Sequence, residues 1–254
     1  LIELLDDKNE FVIKQAIESL AYLEAKEPIF RIIEFLNHPC LSIRLNAIAF
    51  FSKVKDQRAT KFLLPLLKDK NPTVRITTIQ VFEKLKDPLA LDSLIEIINK
   101  RREFETMLVL VALSKIGDKR AVDSIVHLLL DKNKNLREGA LLALRSLKDS
   151  RATIPIIETF KSLTNEAKII AIEALGEIKD EKAIEFLISL LNTNDTNIVT
   201  ATCIALGRTE NSIVIDHLVP KLRSSDINVK LGSIKALGFL RDSRSTEILI
   251  KELE

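Results

Sequence analysis

The chain has 254 residues, 46% of them hydrophobic, and a formal net charge of +2 at pH 7. With a mean hydropathy of +0.13 it can bury an ample core, and its balanced charge gives no strong pull toward nucleic acid or an anionic membrane. Six glycines, seven prolines and no tryptophan suit packed helices better than a sheet. No apolar run approaches the ~20 residues of a membrane-spanning helix, and no signal-peptide pattern is visible.

One interval organises everything else. Asp56, Asp87, Asp118, Asp149 and Asp180 are each 31 residues apart, and Asn211 and Asp242 continue the series. A repeat of this length implies a stacked solenoid. The clearest copy is 118–148. Ala121, Ile125, Val126, Leu128 and Leu129 have helical spacing and predict a first helix. Leu136, Ala140, Leu141, Ala143, Leu144 and Leu147 predict a second. Asp118 is placed to cap the first helix and Asn133 the second, each accepting an otherwise unpaired backbone N–H.

In chain order, residues 1–24 form a partial repeat, since Leu1, Ile2 and Leu5 match Ile125, Val126 and Leu129. Repeats 25–55 and 56–86 follow. The first has Pro28 in the Ala121 column and a His38-Pro39-Cys40 loop; in the second, Pro65 predicts a kink in the first helix. Repeat 87–117 departs most. Its loop carries Lys100-Arg101-Arg102 where other copies have Asp or Asn, and Thr106 replaces the basic residue that opens the second helix elsewhere. Cations near a helix N-terminus oppose its dipole. Repeats 118–148 and 149–179 are regular, with Pro155 in a first helix. Repeats 180–210 and 211–241 precede a partial one, 242–254, with no second helix. Neither end has a polar capping repeat. The expectation is one continuous domain, an excerpt of a longer chain or a stack whose ends pack against other material.

Down the columns, Ala16, Ala47, Ala140 and Ala171 allow close helix approach. Leu20, Phe51, Phe82, Leu113, Leu144, Leu175, Leu206 and Leu237 fill the space between repeats. Arg44, Arg75, Arg137, Lys168 and Lys230 open the second helices; loop carboxylates such as Asp69 and Asp131 are their expected partners.

Three starts, Asp56-Gln57-Arg58-Ala59, Asp118-Lys119-Arg120-Ala121 and Asp149-Ser150-Arg151-Ala152, share a D-x-R-A pattern. With Val74-Arg75, Leu136-Arg137 and the endings Ala174-Leu175-Gly176 and Ala236-Leu237-Gly238, the whole chain resembles the HEAT-repeat family in its short, phycobilisome-lyase-type form. The resemblance implies an all-α fold, an αα-solenoid wound as a right-handed superhelix of about eight hairpins, with second helices lining the concave side. It implies little about function, because such repeats serve many roles.

The candidate partner-binding residues lie on that side: Met107, Leu108, Val111, Leu142, Ile169, Ile170 and Ile204, with Arg145 beside them. A solvent-facing helix normally carries polar residues there. Two readings stay open, burial between neighbouring second helices or a groove for a partner. A secondary basic patch comprises Lys53, Lys84 and Lys115, one per repeat, with Arg101 and Arg102. Over the outward columns, basic Lys14, Lys53, Lys84, Lys115, Arg145, Arg208 and Lys235 nearly balance acidic Glu18, Glu83, Glu138, Glu166, Glu173 and Glu177. A nucleic-acid groove would be lopsided, and no tryptophan is present for base stacking.

No catalytic constellation is visible. His38, His127 and His217 occupy different columns and predict no metal site. The glycines form no phosphate loop. Cys203 falls in a core column and Cys40 in a loop about five repeats away, so no disulfide is expected and a reducing, cytoplasmic setting fits. The leading expectation is a non-enzymatic scaffold without cofactor that binds another protein. The alternative implied by the resemblance is bilin-lyase or chromophore-chaperone activity, with a tetrapyrrole in an apolar groove edged by Arg145 and Arg208. A nucleic-acid-repair solenoid is disfavoured.

Overall fold

The computed structural model describes residues 1–100 and 103–251, and every regular element among them is a helix. Eight longer helices supply the second member of each hairpin. They are α1 (Glu10–Tyr22), α2 (Leu41–Val54), α3 (Pro72–Leu85), α4 (Glu103–Ile116), α5 (Lys134–Leu147), α6 (Asn165–Ile178), α7 (Thr196–Arg208) and α8 (Ile227–Leu240). The repeats are therefore αα-hairpins, stacked as an α-solenoid within each of two compact units, Leu1–Ala121 and Val122–Glu254. In the first unit α1, α2, α3 and α4 pack each on the next; in the second α5, α6, α7 and α8 do the same.

The caps form where the side chains predict them. Asp118 accepts from the Arg120 backbone N–H at 2.9 Å, and Asp56, Asp87, Asp149, Asn211 and Asp242 cap their own turns in the same way. Asn133 accepts from Asn135 N–H at 2.8 Å. The equivalent Asn71, Thr164, Asp195 and Asp226 also cap. Each cap satisfies a donor that the helix itself cannot.

The core columns are buried as their periodicity requires. Phe51, Phe82, Leu113, Leu175 and Leu206 are fully enclosed, as are Ala47, Ala140 and Ala171. Pro28 lies in the buried column of Ala59, Ala90, Ala121, Ala152 and Ala183, so a compact side chain is what that contact selects.

The first helices are less regular than the pattern implied. Thr60–Leu63 gives way to a 3-10 segment, Leu64–Lys68, with Pro65 in its first turn. The same tightening occurs at His127–Leu130 and Phe35–Asn37 without any proline. It therefore does not depend on proline; i→i+3 bonds close these last turns, while Leu91–Asn99 and Glu181–Leu190 stay α-helical throughout. Pro155 lies in the first turn of Thr153–Thr159, where its missing N–H costs little.

The arginine column also differs from expectation. Arg75 Nη1 donates to the Asp69 and Lys70 carbonyls at 2.8 and 3.2 Å. Arg137 does the same to Asp131 and Lys132, and Arg44 to His38 and Pro39. The loop carboxylates turn inward instead, Asp69 accepting from Asn71 N–H at 2.7 Å and Asp131 from Asn133 N–H at 2.8 Å. A guanidinium fork matches paired carbonyls well, and the carboxylates are used up closing the turn.

Repeat 87–117 has its own solution. Arg75 Nε and Nη2 reach Glu105 at 3.0 and 2.6 Å, and both side chains are largely buried. Thr106 is buried, and its hydroxyl has no hydrogen-bond partner among the described residues. Arg101 and Arg102 lie outside the described residues.

Candidate functional site

In the first unit the candidate residues lie on α4. Met107 and Leu108 are half-buried, while Val111 is 42% exposed. Phe104, one turn earlier, is 65% exposed. These four stand at i, i+3, i+4 and i+7, one face of a helix. The equivalent face of α3 carries Thr73, Ile76, Thr77 and Gln80, so the uninterrupted apolar stripe belongs to α4. Phe104 is not among the residues expected from the sequence, although the helical period places it one turn before Met107 on the same face.

The second unit holds the remaining candidates. Leu142 on α5 is 42% exposed, and Ile169, Ile170 and Ile204 are half-buried on α6 and α7. Charge interrupts this surface. Arg145 on α5 forms an ion pair with Glu173 on α6, and Glu138 stands at the equivalent of Met107. Ile169, Ile170 and Ile204 are partly enclosed, whereas Val111 and Leu142 are exposed. Burial and exposure thus divide the set.

Lys53, Lys84 and Lys115 are exposed near the C-terminal ends of α2, α3 and α4. Lys53 lies 5.9 Å from the centre of the Tyr22 ring, and Lys84 contacts its neighbour Glu83 at 3.0 Å. A second lysine column, Lys55 and Lys86, went unnoticed in the sequence. Both residues take left-handed backbone conformations just past their helices, at φ 52° and 51°. Gly117, at φ 75°, occupies the position after α4. This is where glycine usually ends a helix, so a lysine there gave no stop signal.

In the second unit the same two columns pair with acids. Lys148 reaches Glu177 at 2.6 Å, Lys179 reaches Glu210 at 2.8 Å, and Arg208 lies 4.0 Å from Glu177. These groups border an open hollow of about 640 Å³, with Phe239 and Arg241 on its rim. The Lys148 ammonium, hydrogen-bonded to it, holds the Glu177 carboxyl below the usual carboxylate range.

Burial pushes the Cys203 thiol up to about 11, so it stays protonated and unreactive at neutral pH. His38 Nδ1 accepts from the Cys40 backbone N–H at 3.1 Å. Among the described residues no group of three His, Cys, Asp or Glu side chains could hold a metal ion. No described helix is long and apolar enough to cross a membrane.

Comparison with known proteins agrees with this architecture. The family described as HEAT repeats matches residues 29–114 and 155–226. No curated protein sequence matches. Among solved structures, an engineered protein superposes with a TM-score of 0.61 at 16% identity, covering 98% of this chain and 80% of that one. YibA of Escherichia coli gives 0.59 at 21% identity, covering 95% and 91%. The complex of CpcE and CpcF of phycocyanin lyase from Nostoc sp. PCC7120 gives 0.51 at 18%, covering 94% and 92%. At these identities the likeness speaks for the fold alone.

Proposed function

Because this chain belongs to the HEAT-repeat family, whose stacked hairpins present an extended surface to partners, we propose that it is a non-enzymatic scaffold that captures another protein. The observation that carries this reading is the apolar stripe Phe104, Met107, Leu108 and Val111 on α4, with Phe104 and Val111 well exposed. Exposed apolar residues grouped on one helical face mark interaction sites more often than residues scattered singly. Leu142, Ile169, Ile170 and Ile204, with Arg145, offer the second unit's contribution. The free cysteines Cys40 and Cys203 fit a reducing, cytoplasmic setting.

A tetrapyrrole-handling role has weaker support. The two arginines expected to meet propionates already face acids, Arg145 with Glu173 and Arg208 near Glu177. Titrating the protein with a bilin is expected to leave the absorbance spectrum of the pigment unchanged.

The test is site-specific photo-crosslinking in extracts of the source cell. A benzophenone side chain at Val111 is expected to capture a discrete partner, and one at exposed Glu158 is not. Phe104→Ser is expected to abolish the Val111 crosslink while leaving the melting curve unchanged. Loss of the fold in that variant would make the stripe core and sink the assignment.

A further inference from the structure

The C-terminal edge of α2 to α4 carries cations that neighbouring acids leave largely uncompensated. Lys53, Lys55, Lys84, Lys86 and Lys115 are all exposed along it. Glu83 contacts Lys84 and Glu24 stands nearby in the repeat frame, but the loop aspartates of this edge are engaged elsewhere. Asp56 pairs with Arg58 and Asp118 with Arg120, while buried Asp87 accepts from the Thr60 hydroxyl at 2.6 Å. Lys55 and Lys86 occupy left-handed positions that favour glycine. In the second unit the same columns are closed by Lys148–Glu177 and Lys179–Glu210 pairs. The repeat can therefore neutralise this edge, and the first unit does not.

Beside Lys53 the edge meets a hollow of about 190 Å³ between α1 and α2, walled by Ala21, Tyr22, Ala49 and Phe50, with polar Asn46, Ser52 and Lys53 and the Glu18 carboxylate also lining it, so the residue it takes is a neutral one. Alanines at two of these positions leave room for one large apolar side chain from outside. The spacing of the row completes the picture. Packed helices lie ~8–10 Å apart, so the lysines recur at about that interval. A peptide in the extended polyproline II conformation advances ~3.1 Å per residue with three residues per turn, which brings every third side chain back to one face and over the next helix.

We propose that this edge binds an extended acidic peptide, its apolar residue seated in the hollow between α1 and α2 and Asp or Glu at every third position thereafter facing Lys53, Lys84 and Lys115. Backbone phosphates of a nucleic acid recur more closely than this row. Stacking would also need free aromatic faces, and exposed Tyr22 and Phe30 at this end of the first unit already lie against Lys53 and Arg58. Lys115 stands one turn beyond Val111 on α4, so the row borders the apolar stripe, and Phe104, ~16 Å away along that helix, is the position whose substitution separates this binding from the scaffold reading.

The probe is a fluorescent synthetic peptide with Phe followed by Glu at every third position and serine between. Its control has the same composition with the glutamates adjacent. Fluorescence anisotropy with the full chain is expected to show preferential binding of the spaced peptide, weakening as salt rises. Replacing Lys53, Lys84 and Lys115 together by Gln is expected to weaken binding about tenfold or more, as three exposed charge pairs would. Lys182→Gln, on an exposed site in the second unit, is expected to change nothing. Ala49→Trp should fill the hollow and weaken the peptide without altering the melting curve. Phe104→Ser should leave peptide binding intact even if it abolishes protein capture. Equal binding of both peptides, an unchanged affinity in the triple variant, or tighter binding of oligothymidylate than of the spaced peptide would overturn the proposal.

Discussion

The two compact units are built from one repeat but join their hairpins differently. In the first, the strong cross-repeat ion pair is buried, Arg75 on α3 with Glu105 on α4. In the second, the pairs are partly exposed and run along the helix ends, Lys148 with Glu177 and Lys179 with Glu210. The second unit also brings helix backbones into direct approach. An added Cβ on Gly207 of α7 would stand 2.4 Å from Ala236 Cα on α8, and one on Gly176 of α6 2.8 Å from Ala205 Cβ on α7. At the matching positions the first unit has Ser52, Glu83 and Ser114. Close packing and paired charge thus go together in one unit, while the other leaves its lysine edge open.

Breaking the buried pair should have the largest effect. Glu105→Ala removes the carboxylate from a mostly enclosed guanidinium and is expected to cost about 3–5 kcal/mol, read as a lowered denaturant midpoint. Gly207→Ala comes next. Its methyl has backbone in its way, so α7 and α8 must part, at an expected cost of about 1–3 kcal/mol. Gly238→Ala sharpens the contrast, because nothing lies within 4 Å of that position. There the helix preference for alanine should add up to about 1 kcal/mol of stability.

The exposed pairs should matter least. Lys148→Ala is expected to cost less than about 1 kcal/mol and to cost less still at high salt. Its pH signature has a definite sign. Glu177 is held below its ordinary range chiefly by the Lys148 hydrogen bond. The pair therefore contributes fully above the ordinary glutamate pKa and is lost as pH falls through the lowered value. A double-mutant cycle with Glu177→Ala, repeated across the acid range, would check it. Coupling that grew on acidification would contradict the assignment.

Much of this architecture could be read from residue order. The Asp118 and Asn133 columns forecast their caps because a side-chain oxygen two or three residues before a free N–H is a local arrangement. Leu113 and Leu175 forecast their burial because helical period alone decides which face they share. Local rules failed where the partner was remote or the residue was atypical. Arg75 was assigned to the Asp69 carboxylate, but that group was already committed to Asn71 N–H, and Glu105 lies in the next repeat. The left-handed ends at Lys55 and Lys86 carried no glycine to announce them. Of the proposed surface, Met107, Val111 and Leu142 are legible in the sequence as apolar residues where a solvent-facing helix is polar, and Phe104 follows from Met107 by helical period, while how far each is exposed is decided by packing.

What the sequence determined by itself was the period, the hairpin, the caps and the enclosed columns, since each follows from contacts within one repeat or between identical positions of adjacent ones. Only the tertiary structure decided which lysines find acids and which glycines meet a neighbouring backbone. Those outcomes depend on how near successive helices lie and which side chains already hold the available partners, and no single repeat contains that information.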